Sequence, residues 1–356
     1  MKLRHNCLKD LLKIPEYLSK NKIAFCSLEI ELPDWFLKFS KLFPYQIGLQ
    51  IRREYRHIAM GLRAFQFKDI DSVFIFEFYN QHCLFLLPLL LLRGKLTFLC
   101  IHGNQQFAMN SKIKYLGFIY LKIYLQLLKN LKVVLLEIDD NVIPEKYRFP
   151  NHCKYLMPLP IISEITPRLK LGERLSGNNV IKIGVVGMIR PDKPIALILH
   201  KIQEYIAQSN HQCELIIGTP INQKPVYLDG IKGTFLDTTR QEDYLKVLQQ
   251  IDILIIYYDK ERYFYRASGV ISDAASAGYY IIASDYPVIH HQLNYPAKIG
   301  YNFSEFEEIP QLIDQTIENI KNHGQDNHWQ WRKGRTAESI APIFEKSFYL
   351  SSALHH

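Results

Sequence analysis

The sequence predicts an α/β protein made of two domains, each a doubly wound parallel sheet covered by helices on both faces. Short, near-continuous apolar runs rich in β-branched residues alternate with amphipathic stretches along most of the chain. Such runs mark strands buried on both faces, which is how parallel sheets are built. A proline-rich stretch then interrupts the alternation near the middle, and a fresh strand starts at Val180. With 356 residues the chain is long enough for two separate cores.

In the first half the strand candidates are KIAFCSLEIEL from Lys22, SVFIFEFY from Ser72, KLTFLCIHG from Lys95 and LKVVLLEID from Leu131. In the second half they are VIKIGVVGMI from Val180, CELIIGTP from Cys213, IDILIIYY from Ile251 and YYIIASD from Tyr279. The segment 154–179 carries three prolines and ends in Gly-Asn-Asn, which reads as a hinge over about 158–179. The predicted domains are 1–165 and 166–328, with a terminal helix over about 329–352 that packs back on the first. Trp329, Trp331, Ile340, Phe344 and Tyr349 are its packing anchors. Two open sheets joined in this way face each other across a cleft at the carboxyl ends of their strands, where ligands of such sheets bind.

Apolar content of 48% and charged content of 22% exclude a disordered chain. The formal charge of +8 suits a phosphorylated substrate, nucleic acid or an anionic membrane and selects none of them. Six cysteines without metal-clip spacing read as reduced thiols, mostly buried. The N-terminus is too charged for a secretory signal, and CLFLLPLLLL (83–92) is too short to span a bilayer. The expected location is cytoplasmic, with peripheral contact at the inner face of a membrane as a further expectation.

Chemistry concentrates in the second half. After its first strand come Gly187, which permits a tight exit, then Arg190 and Lys193. These two cations suit a diphosphate, and a solvated basic loop is the alternative. Further on, YRASGV (265–270) opens a helix that stops at Gly278. The N–H groups around Ser268, Gly269 and Val270 carry the positive end of that helix and form a ready anion site. Gly269 removes a side chain from the approach, while Ser268 also fits a plain N-cap. Asp273, one turn on, suits vicinal ribose hydroxyls or a solvated helix face.

These stretches together resemble the nucleotide-binding half of GT-B glycosyltransferases, close to the retaining group 1 (GT4-like) family. The resemblance implies two Rossmann-like domains and a nucleotide-sugar donor. The family's Gly-Arg-Leu-x-x-x-Lys loop is matched by Gly187 to Lys193, with Arg190 displaced by two and Met188 in its usual place. Of its Glu-x7-Glu motif, Asp273 matches the second glutamate and Tyr265 replaces the first. Tyr265 and Arg266 instead resemble a divergent subgroup with Tyr-Arg-x-Ser-Gly at this point. In the first half, His102–Gly103 after a buried strand resembles the His-Gly that such enzymes place near the transferred sugar; a loop cap is the other reading. Glu77 is a further acceptor-side candidate.

The function these readings imply is sugar transfer from a nucleoside diphosphate donor to a carbohydrate or lipid-linked acceptor. Catalysis falls to His102, Arg190 and Lys193, and donor binding to Gly187, Arg190, Lys193, Tyr265, Arg266, Ser268, Gly269, Val270 and Asp273. The Asp139–Asp140 pair has the wrong spacing for an Asp-x-Asp metal triplet, and no metal and no cofactor are expected. Retention and a hexosyltransferase activity follow from the resemblance alone. A sugar-nucleotide epimerase and a decayed nucleotide-sugar-binding scaffold are the alternatives. Nucleic acid is not an expected partner, because no aromatic-interleaved basic patch occurs. The helix-like stretch 112–132, apolar nearly all round with lysines between, suits either packing on the sheet or an anionic membrane.

Overall fold

The computed structural model describes residues 32–66, 72–75, 78–161, 180–187, 195–220, 230–323, 326–336 and 338–344. The strand expected at 22–32 and most of the hinge lie outside these residues, as does Tyr349. The chain divides into two compact units, one of Met1–Met157 with Ile340–His356 and one of Pro158–Ser339.

In the first unit, helices α1 (Asp34–Ser40) and α2 (Tyr45–Gln66) precede a four-stranded parallel sheet. Its strands are β1 (Ser72–Ile75), β2 (Leu96–Ile101), β3 (Leu131–Leu136) and β4 (Lys154–Met157), side by side in chain order. The crossovers carry α3 (Cys83–Arg93), then α4 (Asn104–Met109) and α5 (Lys112–Leu127). Right-handed crossovers in chain order put α3 and α5 on one sheet face. There Leu86, Leu87 and Leu90 of α3 and Phe118, Leu121 and Leu125 of α5 close on Leu99, Ile101 and Val133. The opposite face is aromatic. Phe74 and Phe98 lie in register, and Phe344 packs edge-on to both.

The second unit holds six parallel strands in the order β10-β9-β8-β5-β6-β7. They are β5 (Ile181–Val186), β6 (Cys213–Thr219), β7 (Thr234–Asp237), β8 (Ile253–Ile256), β9 (Tyr280–Ser284) and β10 (Gly300–Phe303). Five helices of interest cover them: α6 (Ile195–Gln208), α7 (Gln241–Leu248), α9 (Gly269–Ser276), α10 (Pro287–Asn294) and α11 (Ile309–His323), with the one-turn α8 (Lys260–Tyr263) after β8. Every residue of β8 and β9 is buried, as the continuous apolar runs predict.

Two strands escape the sequence pattern, β4 and β7. Both are edge strands of four residues with half-exposed side chains, so neither needs a continuous apolar run. The single terminal helix expected from 329 is in fact two pieces. Helix α12 (Asp326–Lys333) ends, the chain turns at Gly334, and residues 338–344 form a second helix. Trp331 is fully buried and Trp329 is about half exposed, so only the first of the two is a core anchor. Arg335, also fully buried, lies over the Trp331 ring and donates to the Leu159 and Tyr295 carbonyls. Among the described residues Cys83, Cys100, Cys153 and Cys213 form no disulfide.

Candidate functional site

The strand order of the second unit fixes where a ligand can sit. From β5 the chain winds outward through β6 and β7, then returns and winds the other way through β8, β9 and β10. The crossovers therefore diverge between β5 and β8, and the carboxyl edge at such a reversal is the binding crevice of open parallel sheets. Gly187 ends β5 at this edge with φ 130, a backbone angle that favours glycine, and its N–H donates to the Gly218 carbonyl. Arg190 and Lys193, which follow it, lie outside the described residues, as does Met188.

Across the reversal, β8 leads through α8 into the start of α9. Ser268 is the N-cap, and its Oγ accepts from the Ile271 N–H at 3.2 Å. At the other end of α9, Gly278 (φ 87) closes a paired turn: its N–H donates to the Ala275 carbonyl and that of Tyr279 to the Ala274 carbonyl. The helix is thus stopped at both ends by local signals.

Its start is also clamped from a distance. The buried amide of Gln292 on α10 accepts from the Ser268 N–H at 2.7 Å. The Gln292 Nε2 donates to the Ser268 carbonyl at 3.0 Å and to the Ser272 Oγ at 3.3 Å. Trp331 holds Gln292 in turn, its indole N–H donating to the Gln292 carbonyl at 2.7 Å. The Tyr258 hydroxyl is hydrogen-bonded to the Ser268 Oγ. The expectation that the Ser268 N–H stands open at the helix start therefore fails, because Gln292 takes it. With Ile271 satisfied by Ser268, the open amides of the first turn are those of Gly269 and Val270.

Side chains around this start are layered. Tyr263 stacks on Tyr258 with ring centroids 4.0 Å apart, and the Arg266 guanidinium lies 5.2 Å from the Tyr263 ring centroid. A cation is thereby positioned two residues before the cap. Tyr265 meets Phe264 edge-on, and burial pushes its phenol pKa up, so it stays neutral. Asp273 is nearly buried and its Oδ2 accepts from the Tyr244 hydroxyl at 3.1 Å, an anchoring partner on α7 that the sequence did not indicate.

Asp259 is the residue that sequence reasoning passed over. It caps α8 at the carboxyl end of β8, and its buried Oδ1 has no hydrogen-bond partner among the described residues. A buried acceptor left open costs stability, and sites that carry one receive the missing donor from a ligand or water. Nothing in the motif YYDKERYF marks it, since a cap needs no buried oxygen.

At the carboxyl edge of the first sheet, His102 follows β2, and its N–H donates to the Asn104 Oδ1 at 3.0 Å. Gly103 (φ 76) turns the chain into α4. Asn104 Nδ2 donates to the Phe78 carbonyl and to the Asn80 Oδ1, while Asn80 Nδ2 donates to the Asn104 carbonyl. This buried asparagine pair joins the ends of β1 and β2 and sets the loop on which His102 sits. Glu77 lies outside the described residues. Asp139 and Asp140 are committed to structure. Lys154 Nζ bonds both, at 3.3 and 2.7 Å, and Asp140 Oδ2 also accepts from Gln105 and from the Phe149 N–H.

The second sheet reads 3-2-1-4-5-6 in its own chain order and the first is parallel throughout, two α/β units in one chain. The same arrangement recurs in solved glycosyltransferase structures. The sucrose-phosphate synthase of Thermosynechococcus elongatus matches with a TM-score of 0.60 at 13% identity, over 88% of this chain and 81% of that one. The fold is GT-B. HepE of Anabaena, solved in complex with UDP, matches at 0.57 and 12% identity over 83% of this chain and 82% of its own. The lipopolysaccharide outer core galactosyltransferase WaaB matches at 0.54 and 14% identity over 85% of this chain and 82% of its own. No protein-family model and no curated protein matches the sequence. At these identities the GT-B likeness is one of fold. The sites at the two sheet edges stand on their own geometry.

Proposed function

We propose that the protein is a glycosyltransferase, of hexosyltransferase type, that moves a sugar from a nucleoside diphosphate to a carbohydrate or lipid-linked acceptor. One observation carries this reading. The start of α9, at the reversal of a six-stranded parallel sheet, leaves the Gly269 and Val270 amides open while Gln292 and Tyr258 fix Ser268 behind them. Fixed amides at the positive end of a helix are a preorganised anion site. The likeness to HepE, whose structure holds UDP, supports a diphosphate as that anion.

In the proposed reaction the bond from the anomeric carbon to the diphosphate oxygen breaks. A bond from that carbon to an acceptor hydroxyl oxygen forms, and the hydroxyl proton passes to the leaving diphosphate oxygen. Negative charge gathers on the leaving diphosphate. Arg190, Lys193 and Arg266 stand nearest in the sequence to the two loops that would meet it, and with the open amides they stabilise that charge electrostatically. These cations take the place of a divalent metal, so transfer is metal-independent. Asp273, held by Tyr244, accepts from the ribose, and Asp259 Oδ1 accepts from a hydroxyl of the donor sugar, where the family glutamate is replaced by Tyr265. His102 contacts the transferred sugar, as the His-Gly resemblance implies, and configuration is retained.

Calorimetric titration with UDP, GDP and dTDP tests the site. Saturable binding of at least one is expected, weakened in Arg190→Ala and in Lys193→Ala. No binding of any of the three overturns the proposal. Donor turnover that depends on added acceptor separates transfer from epimerisation, and activity unchanged by EDTA is expected of a metal-independent enzyme.

A further inference from the structure

Helix α5 carries two apolar faces, and the sheet uses only one. Phe118, Leu121 and Leu125 point into the core. Ile113, Leu116, Tyr120, Ile123 and Leu127 recur at spacings of three and four, which places them in one row about half a turn from the buried row. Ile113 and Leu127 are each 71% exposed and Leu116 is 65% exposed. The neighbouring α3 repeats the pattern: Leu86, Leu87 and Leu90 are buried, while Leu84, Phe85, Leu91 and Leu92 face out. The two rows adjoin, because the Tyr120 hydroxyl donates to the Leu84 carbonyl at 3.2 Å. A contiguous apolar surface of this kind on a folded protein marks something that covers it.

Charge tells what that is. From Phe78 to Leu136 the chain has no Asp or Glu, against seven Lys and Arg. Exposed Lys112 and Lys129 stand at the two ends of the α5 row, while Lys122 turns inward to the Lys146 carbonyl and the Phe118 ring. Apolar rows edged by cations with no acid among them complement an anionic lipid surface, where the rows enter the acyl boundary and the lysines meet headgroups. A protein partner or a second copy would have to supply a matching acidic rim, which this face cannot offer to its own copy. Among the described residues no helix is long and apolar enough to cross a membrane. The sixteen residues of α5, about 24 Å at helical rise, suit lying in the interface.

We infer that the outer face of α3 and α5 docks the first unit on an anionic membrane. This surface is independent of the anion site in the second unit, so either assignment can fail alone.

Vesicle flotation of the full-length protein decides it, with phosphatidylcholine vesicles and with phosphatidylcholine mixed with phosphatidylglycerol. Binding to the mixed vesicles that weakens with salt is expected. Leu116→Asp with Ile123→Asp should weaken it about tenfold or more, since the α5 row must enter the interface. Lys112→Gln with Lys129→Gln should weaken it about fivefold per charge. Thermal melts should match the parent, because these side chains are exposed; were the aspartate variant to unfold, the glutamine variant still decides. Failure of the parent to float with mixed vesicles overturns the inference. So does equal flotation of both variants, or a parent dimer that Leu116→Asp splits, which would give the face to a second copy.

Discussion

At the carboxyl edge of β2 a buried amide side chain, Asn104, holds the backbone at Phe78 and His102, and after β8 another, Gln292, holds both polar groups of Ser268. The device is the same, and what it leaves open differs. The asparagine pair satisfies its loop from within, whereas the glutamine takes the cap residue and leaves the next two amides of α9 without a hydrogen-bond partner among the described residues. In the first unit the amide fixes a loop. In the second it fixes a helix start with two unpaired amides. The comparison teaches that a backbone anion site needs one buried group whose only work is to stop the cap from moving.

Exchanging each amide for leucine breaks the comparison most forcefully. Gln292→Leu leaves the Ser268 N–H buried without its partner, while the Ser268 carbonyl keeps the Ser272 N–H, a cost of about 1–3 kcal/mol. Asn104→Leu removes the bonds that Asn104 gives the His102 N–H and the Phe78 carbonyl, at a similar cost. Chemical denaturation should show comparable losses. Calorimetry at a temperature where both stay folded should then separate them: nucleoside diphosphate binding disappears in Gln292→Leu and persists in Asn104→Leu. Equal binding in the two would mean that the clamp does not set the helix start.

The difference between local and distant signals also explains what the sequence disclosed. The start and stop of α9 were legible because Ser268 and Gly278 act on backbone a few residues away, and β8 and β9 because central strands must be apolar throughout. Gln292 was not legible. It lies 24 residues beyond Ser268 in an ordinary helix, and only the packing of α10 brings it to the cap. The edge strands β4 and β7 were missed for the converse reason, that half-exposed edges impose no pattern. Arg335 and Asp259 were passed over because a charged residue in a polar stretch looks the same whether it is buried or solvated. On α5 the excess of apolar positions was plain in the sequence, but which row faces outward required the sheet.

Buried histidines give each unit its own dependence on pH. In the first, His57 Nδ1–H donates to the Arg53 carbonyl and Nε2 accepts from the Tyr79 N–H, so the ring is neutral. In the second, His328 Nε2–H donates to the Tyr279 carbonyl beside β9. Burial lowers each pKa to about 4, with the backbone bond opposing it in part. Unfolded, each ring takes a proton near pH 6.5, about 2.5 units earlier. Below that pH the unfolded chain holds more protons, so stability is lost as pH falls from about 6.5 towards 4. At pH 5 the loss is about 2 kcal/mol for each ring. Urea denaturation of His328→Gln at about pH 7.5 and about pH 5 should show the second unit's share of the decline reduced by that amount and the first unit's share intact. A decline identical to the parent's would place the titration elsewhere.

The finest distinction lies between two glycines. Gly103 has φ 76, where a side chain strains the backbone, so Gly103→Ala should cost about 1 kcal/mol of stability without touching nucleotide binding. Gly269, the first residue of α9, is buried and is not among the glycines of positive φ, so a side chain there does not strain the backbone. What it costs is access. A branched side chain beside the two open amides keeps an anion from them, so Gly269→Val should weaken nucleoside diphosphate binding about tenfold when measured at a temperature where the variant stays folded. One glycine is there for the angle and the other for the space. A Gly269→Val protein that binds as tightly as the parent would mean that the anion sits away from those amides, and the second unit's helix start would then be as closed, in function, as the first unit's loop.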